Sequence, residues 1–246
     1  MALVKVPYEI RGKQYAGRQF EGVIVYDESV AAQRPAIFMQ PDWKGVCTDS
    51  IEQARAVAGQ DYVVLIADMF GAGYGEKNLS QEVLRAGMLT VRNDLAFTLA
   101  CGGAAYTALM RTADSLRLID TMRRAAIGYC AGAGFALEQA RAGADFQALV
   151  AFHTTNPNPL VADTQCSFKG RVLALHGADD PITPKPAMHA LEDELTAAGV
   201  DWQLMMFGGA VHSFCDPTVN DAAVRYDAAL CKKSYTLMRQ FFSETF

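Results

Sequence analysis

The chain has 246 residues, 51% of them hydrophobic, with 22 lysines and arginines against 27 aspartates and glutamates for a formal net charge of −5. That length and apolar content can bury a substantial core, while the mild acidity and the lack of any block of like charges argue against nucleic acid or an anionic membrane as partner. No segment approaches the ~20 consecutive apolar residues of a membrane-spanning helix, and the opening residues lack the pattern of a secretory leader, so a protein of the cytoplasm is expected.

In chain order, residues 4–10 and 18–26 read as two extended segments joined by a turn at 12–17, an antiparallel start. Apolar runs at 36–39, 62–67, 125–129, 148–152, 171–175 and 203–207 read as further strands. Helical patterns fill the gaps. They cover 49–58 behind a Thr48/Asp49 cap, a long stretch at 79–122 with a break near Cys101-Gly102-Gly103, and then 135–141, 186–198 and 221–242. Strands alternating with helices at this pitch predict an α/β fold in one domain over residues 1–246, a mostly parallel sheet with helices on both faces. No repeat or linker divides it. Ligands of such sheets bind beyond the carboxyl ends of the strands, so the chemistry is sought in the loops that follow them.

The six cysteines, Cys47, Cys101, Cys130, Cys166, Cys215 and Cys231, form no C-x-x-C pair and are read as free thiols of a reducing compartment. Four histidines without paired spacing predict no metal site, and no cofactor is expected.

Gly128-Tyr129-Cys130-Ala131-Gly132 fits G-x-nucleophile-x-G, a strand-turn-helix elbow that projects its central side chain from the top of a sheet. The glycines admit the close passage of strand and helix, and the helix start behind Cys130 favours a thiolate. A buried cysteine in a tightly packed turn is the competing interpretation. Two later strand ends favour chemistry. One is the run from Val172 to Pro184, where an apolar strand leads into a polar turn carrying Asp179 and Asp180; the other is the loop Gly208 to Phe214, which carries His212. Cysteine, aspartate and histidine then occur in the chain order of an α/β-hydrolase triad. In these roles His212 accepts the proton of Cys130 and delivers it to a leaving alcohol, and Asp180 fixes the imidazole tautomer.

Taken together, the elbow GYCAGA, the turn HGADDPITP and the loop GGAVHSF resemble the dienelactone hydrolase family, small α/β-hydrolases with a cysteine nucleophile. Segments 37–45 and 67–71 match the family's layout too, so the similarity spans almost the whole chain. The resemblance implies Cys130 as nucleophile, His212 as base and Asp180 as acid, with Asp179 its rival. It places the oxyanion-hole amides at Trp43 and Ala131 and puts Asp42 where the family has a glutamate that modulates the thiol. Where the family holds a lactone carboxylate with two arginines, this chain has Ala72 and Asp216, which points to a different substrate. Phe70, Tyr129, His153 and Phe214 are candidate pocket residues, whereas His176 reads as structural and His189 as a surface or packing residue. The implied protein is a monomeric hydrolase of small-molecule esters or lactones. The alternative is a non-catalytic ligand-binding or redox-sensing protein on the same fold.

Overall fold

The computed structural model describes residues 1–15, 17–160 and 166–246. The opening segments pair as expected: β1 (Ala2–Tyr8) runs antiparallel to β2 (Phe20–Tyr26), with Tyr8 opposite Phe20. Residue 16, in the turn anticipated at 12–17, lies outside the described residues. Strand β2 is antiparallel to β4 (Val63–Ile66), and β4 is parallel to β3 (Arg34–Gln40). With β5 (Ile119–Tyr129), β6 (Ala148–Phe152), β7 (Arg171–Gly177) and β8 (Trp202–Phe207) the sheet has the order β1-β2-β4-β3-β5-β6-β7-β8. The pairs β6–β7 and β7–β8 are parallel. Every residue of β3, β4 and β6 is buried, as strands covered on both faces require, which is why they read as unbroken apolar runs. The chain divides into two compact units, residues 1–125 and 126–246.

In the first unit, α1 (Thr48–Ala58) follows β3 as the sequence predicts. The long helical stretch breaks elsewhere than expected, into α2 (Gln81–Arg92) and α3 (Leu95–Ser115). The division falls at Asn93–Asp94, where the Asp94 side chain accepts the Phe97 N–H at 2.9 Å. A helix cap outweighs the pair of glycines, and Gly102 continues the helix at a buried position. Residues 119–122, also expected to be helical, open β5 instead.

The second unit holds α4 (Ala131–Arg141), α5 (Lys185–Ala197) and α6 (Ala228–Ser243). All of α4 is buried, including Arg141, whose charge is met by Glu194 at 2.6 Å and Glu138 at 3.4 Å. A buried guanidinium requires such partners. Helix α6 starts at Ala228, behind an Asp227 cap on the Leu230 N–H, and residues 221–227 are not helical. One expectation about the cysteines is corrected: Cys215 and Cys231 form a disulfide, whereas Cys47, Cys101, Cys130 and Cys166 are thiols. Asp227 N–H bonds Phe214 O at 3.1 Å, and this contact brings the start of α6 against the loop that carries Cys215. Disulfides persist in oxidising surroundings, so this pair stands against the expected reducing compartment. Among the described residues no helix is long and apolar enough to cross a membrane.

Candidate active site

Cys130 sits alone between the end of β5 and the start of α4, with φ 52° and ψ −117°. A non-glycine residue in such a conformation is strained by about 1–3 kcal/mol and persists only where its neighbours over-determine it. Two hydrogen bonds do so here: Cys130 N–H donates to Phe152 O at 3.1 Å, and Thr155 N–H donates to Cys130 O at 3.0 Å. The elbow also depends on a missing side chain, because a Cβ on Gly128 would lie 2.4 Å from Ala133 Cα and 2.5 Å from Ala133 N. Backbone cannot yield as a side chain can. Gly128→Ala is therefore expected to destabilise the fold by about 3 kcal/mol and to lower the thermal midpoint measured by circular dichroism. An unchanged midpoint would contradict this packing.

The acid turn follows β7. Asp180 is 4% exposed, and its Oδ1 accepts the N–H groups of Ile182 at 2.7 Å and Thr183 at 2.9 Å. Its Oδ2 faces His212 Nδ1 at 2.7 Å. Asp179 is exposed on the same turn, its N–H bonded to Ala210 O. Between the two candidates, the carboxylate brought to the histidine is that of Asp180. His176 closes the turn from behind through Nε2–H to Thr183 O at 2.9 Å, which fits the structural role anticipated for it. Gly177 lets the next loop pass, since a Cβ there would meet Ala210 O at 2.5 Å.

His212 is 2% exposed, and its Nε2 lies 3.1 Å from Cys130 Sγ. Residues 221–227, whose sequence resembles the start of α6, hold it in place. His212 N–H donates to Ala223 O, and Arg225 N–H donates to His212 O at 3.0 Å. A carboxylate can only accept, so Nδ1 carries a hydrogen and Nε2 is the nitrogen that exchanges a proton with sulfur. Burial disfavours a charged imidazole. The electrostatic interaction and hydrogen bond with Cys130, together with Asp180, outweigh it and raise the His212 pKa to about 10.

The model of the dienelactone hydrolase family matches residues 20–246. The chain belongs to the dienelactone hydrolase family. A solved structure named m3DLH is 33% identical, covering 100% of this chain and 98% of its own, with a TM-score of 0.87. A dienelactone hydrolase-like promiscuous phosphotriesterase from metagenomic libraries is 31% identical over 100% of both chains, with a TM-score of 0.86. An uncharacterized protein of Caenorhabditis elegans is 27% identical over 143 residues, 56% of this chain and 90% of its own. Esterase 2 of Thermogutta terrifontis shares the fold at 17% identity and a TM-score of 0.66. The protein is thus a dienelactone hydrolase-like hydrolase.

The remaining residues anticipated from the family resemblance divide. Ala131 is the first residue of α4, where amide N–H groups have no partner within the helix. In the first unit, Asp42 Oδ1 accepts Lys44 N–H at 2.8 Å and Asp42 O accepts Gly45 N–H at 3.0 Å, so the carboxylate shapes the turn containing Trp43. Phe70, half-buried, stacks on Tyr74 with ring centroids 4.9 Å apart. Tyr129, expected in a pocket, is instead wholly buried, stacked on Phe152 and bonded through its hydroxyl to Tyr235. It is the last residue of β5, directly before the elbow residue. His153 and Phe214 are buried in edge-to-face contact at 5.0 Å. Asp216 accepts the N–H and hydroxyl of Thr218, a turn residue in the position of a family arginine. Ala72 is exposed. The direct contact between His153 and His212 has no signal in the sequence, where the two residues are far apart.

Proposed function

We propose that this protein hydrolyses esters or lactones by covalent catalysis, with Cys130 as nucleophile, His212 as acid and base, and Asp180 as the group that orients His212. The observation that carries this reading is the unbroken hydrogen-bonded chain from Asp180 through His212 to Cys130, ending at a strained elbow. A packing cysteine needs neither the strain nor the histidine.

The steps follow from the protonation of the pair. The sequence suggests a thiol that His212 deprotonates on demand. With its pKa raised to about 10, His212 holds a proton at neutral pH, 3.1 Å from the Cys130 sulfur. The thiolate attacks the carbonyl carbon, and the C=O electron pair moves onto oxygen, where the Ala131 amide receives it. Collapse expels the alkoxide, which takes the Nε2 proton and leaves as the alcohol. Neutral His212 then removes a proton from water as it attacks the thioester. Collapse releases the carboxylic acid and restores the thiolate–imidazolium pair. One ester and one water become one acid and one alcohol, within a single catalytic domain acting as a monomer.

Assays of a panel of p-nitrophenyl esters and small lactones test this proposal. Turnover above the uncatalysed rate is expected, and for the lactones, whose alkoxide leaving group needs a proton, an alkaline limb in kcat/KM near pH 10 where His212 loses it. The sign is that of a raised pKa: the proton is held throughout the range below about 10 and lost above it. No turnover on any substrate would leave the ligand-binding alternative standing. Ala72 and Asp216 in place of arginines predict that an anionic dienelactone is a poor substrate compared with uncharged esters.

Full-length similarity to a promiscuous phosphotriesterase favours a second substrate class. In that reaction Cys130 displaces the aryloxide of a dialkyl aryl phosphate at phosphorus, and water then cleaves the S–P bond.

A further inference from the structure

His153 has features that packing alone does not account for. It is 1% exposed, yet among the described residues neither ring nitrogen has a hydrogen-bond partner. Its φ is 35°, in the left-handed region that glycine adopts freely and that is uncommon for a histidine. The backbone on either side is fixed to the elbow. Phe152 O accepts the Cys130 N–H, Thr155 N–H donates to Cys130 O, and the His153 N–H itself donates to Leu175 O of β7 at 2.8 Å. A glycine would relax this corner, so the side chain must contribute something that offsets the strain.

The imidazole of His153 stands edge-to-face against that of His212, with ring centroids 5.2 Å apart and planes at 72°. Phe214 and Tyr129 hold it from other sides at 5.0 and 6.0 Å. Asp180 and Cys130 hold the two nitrogens of His212, but hydrogen bonds at two ring atoms leave the ring free to rock about the line joining them. Edge-to-face contact from His153 opposes that motion.

We infer that His153 is a positioning residue, an uncharged backstop that keeps the His212 imidazole in the one orientation from which Nε2 reaches Cys130. Burial and the charge on His212 push the His153 pKa well below the usual histidine range, so its ring stays neutral beside the imidazolium. The inference rests on the catalytic reading of Cys130 and His212 given above.

Two substitutions test it. His153→Asn tolerates the left-handed backbone and removes the ring, whereas His153→Phe keeps an uncharged ring. The Asn variant is expected to lose at least about tenfold in kcat with KM changed less than about twofold, and the Phe variant to keep kcat within about threefold of the parent. Asn with kcat within twofold of the parent, or a folded Phe variant as impaired as Asn, would overturn the inference. Should Asn fail to fold, the Phe variant decides by the same threefold limit. Cys130→Ala, assayed alongside, separates the two ideas: retained turnover there defeats the catalytic reading itself, whereas abolished turnover together with an active Asn variant defeats only the role of His153.

Discussion

Cys130→Ala is expected to lower kcat by about 10⁴-fold or more on every ester the protein turns over, while the fold persists. Without sulfur the thioester cannot form, and what remains is direct attack by water with help from the Ala131 amide. His212 changes too, because Cys130 is the largest influence raising its pKa. A release assay for p-nitrophenol measures the loss, and circular dichroism checks the fold. A companion variant reads out the strain. Cys130→Gly relaxes the backbone at φ 52° and is expected to stabilise the fold by about 1 kcal/mol while abolishing turnover. Activity and stability moving in opposite directions mark a residue kept for chemistry. If Cys130→Ala retained activity within tenfold of the parent, the nucleophile would have to be sought elsewhere.

Asp180→Asn should lower kcat by about 10³–10⁴-fold with little change in stability. The amide oxygen can keep the bonds to Ile182 and Thr183 N–H, so the turn survives. The amide nitrogen then faces His212 Nδ1 and donates to it, which makes Nδ1 the acceptor and leaves the ring hydrogen on Nε2. A neutral imidazole in that tautomer cannot take a proton from water at the thioester step. Loss of the carboxylate also removes a group that raises the His212 pKa, so the alkaline limb should move from near 10 toward lower pH. Asp179→Asn, at the exposed neighbour, is the control and should leave both quantities unchanged. Equal effects from the two substitutions would show that the turn, and not its buried carboxylate, matters.

The features legible in the sequence are those encoded within a few residues. The Cys130 elbow carries its glycine where a Cβ would strike Ala133, and the Asp180 turn carries its own amide donors at Ile182 and Thr183. The strands of the parallel sheet announce themselves because burial on both faces leaves apolar runs at their centres. Features set by distant partners were not legible. One local signal is masked as well: the Asp94 cap on Phe97 divides a stretch whose helical pattern continues on both sides of it. Residues 221–227 look helical, yet pairing with the His212 loop takes their backbone bonds. The Cys215–Cys231 bond needs the start of α6 to lie against that loop, and the stacking of His153 on His212 needs β6 and that same loop brought together. Periodicity reports which face of an element is buried but not what lies against it.

The most direct test is to mix the protein with an excess of a p-nitrophenyl ester, quench in acid within the first turnovers, and measure the intact mass and the Cys130 peptide. The account predicts one acyl group on Cys130, absent from Cys130→Ala and appearing together with a burst of p-nitrophenol. Steady turnover with no acyl group on that peptide, or an acyl group on another residue, would contradict it.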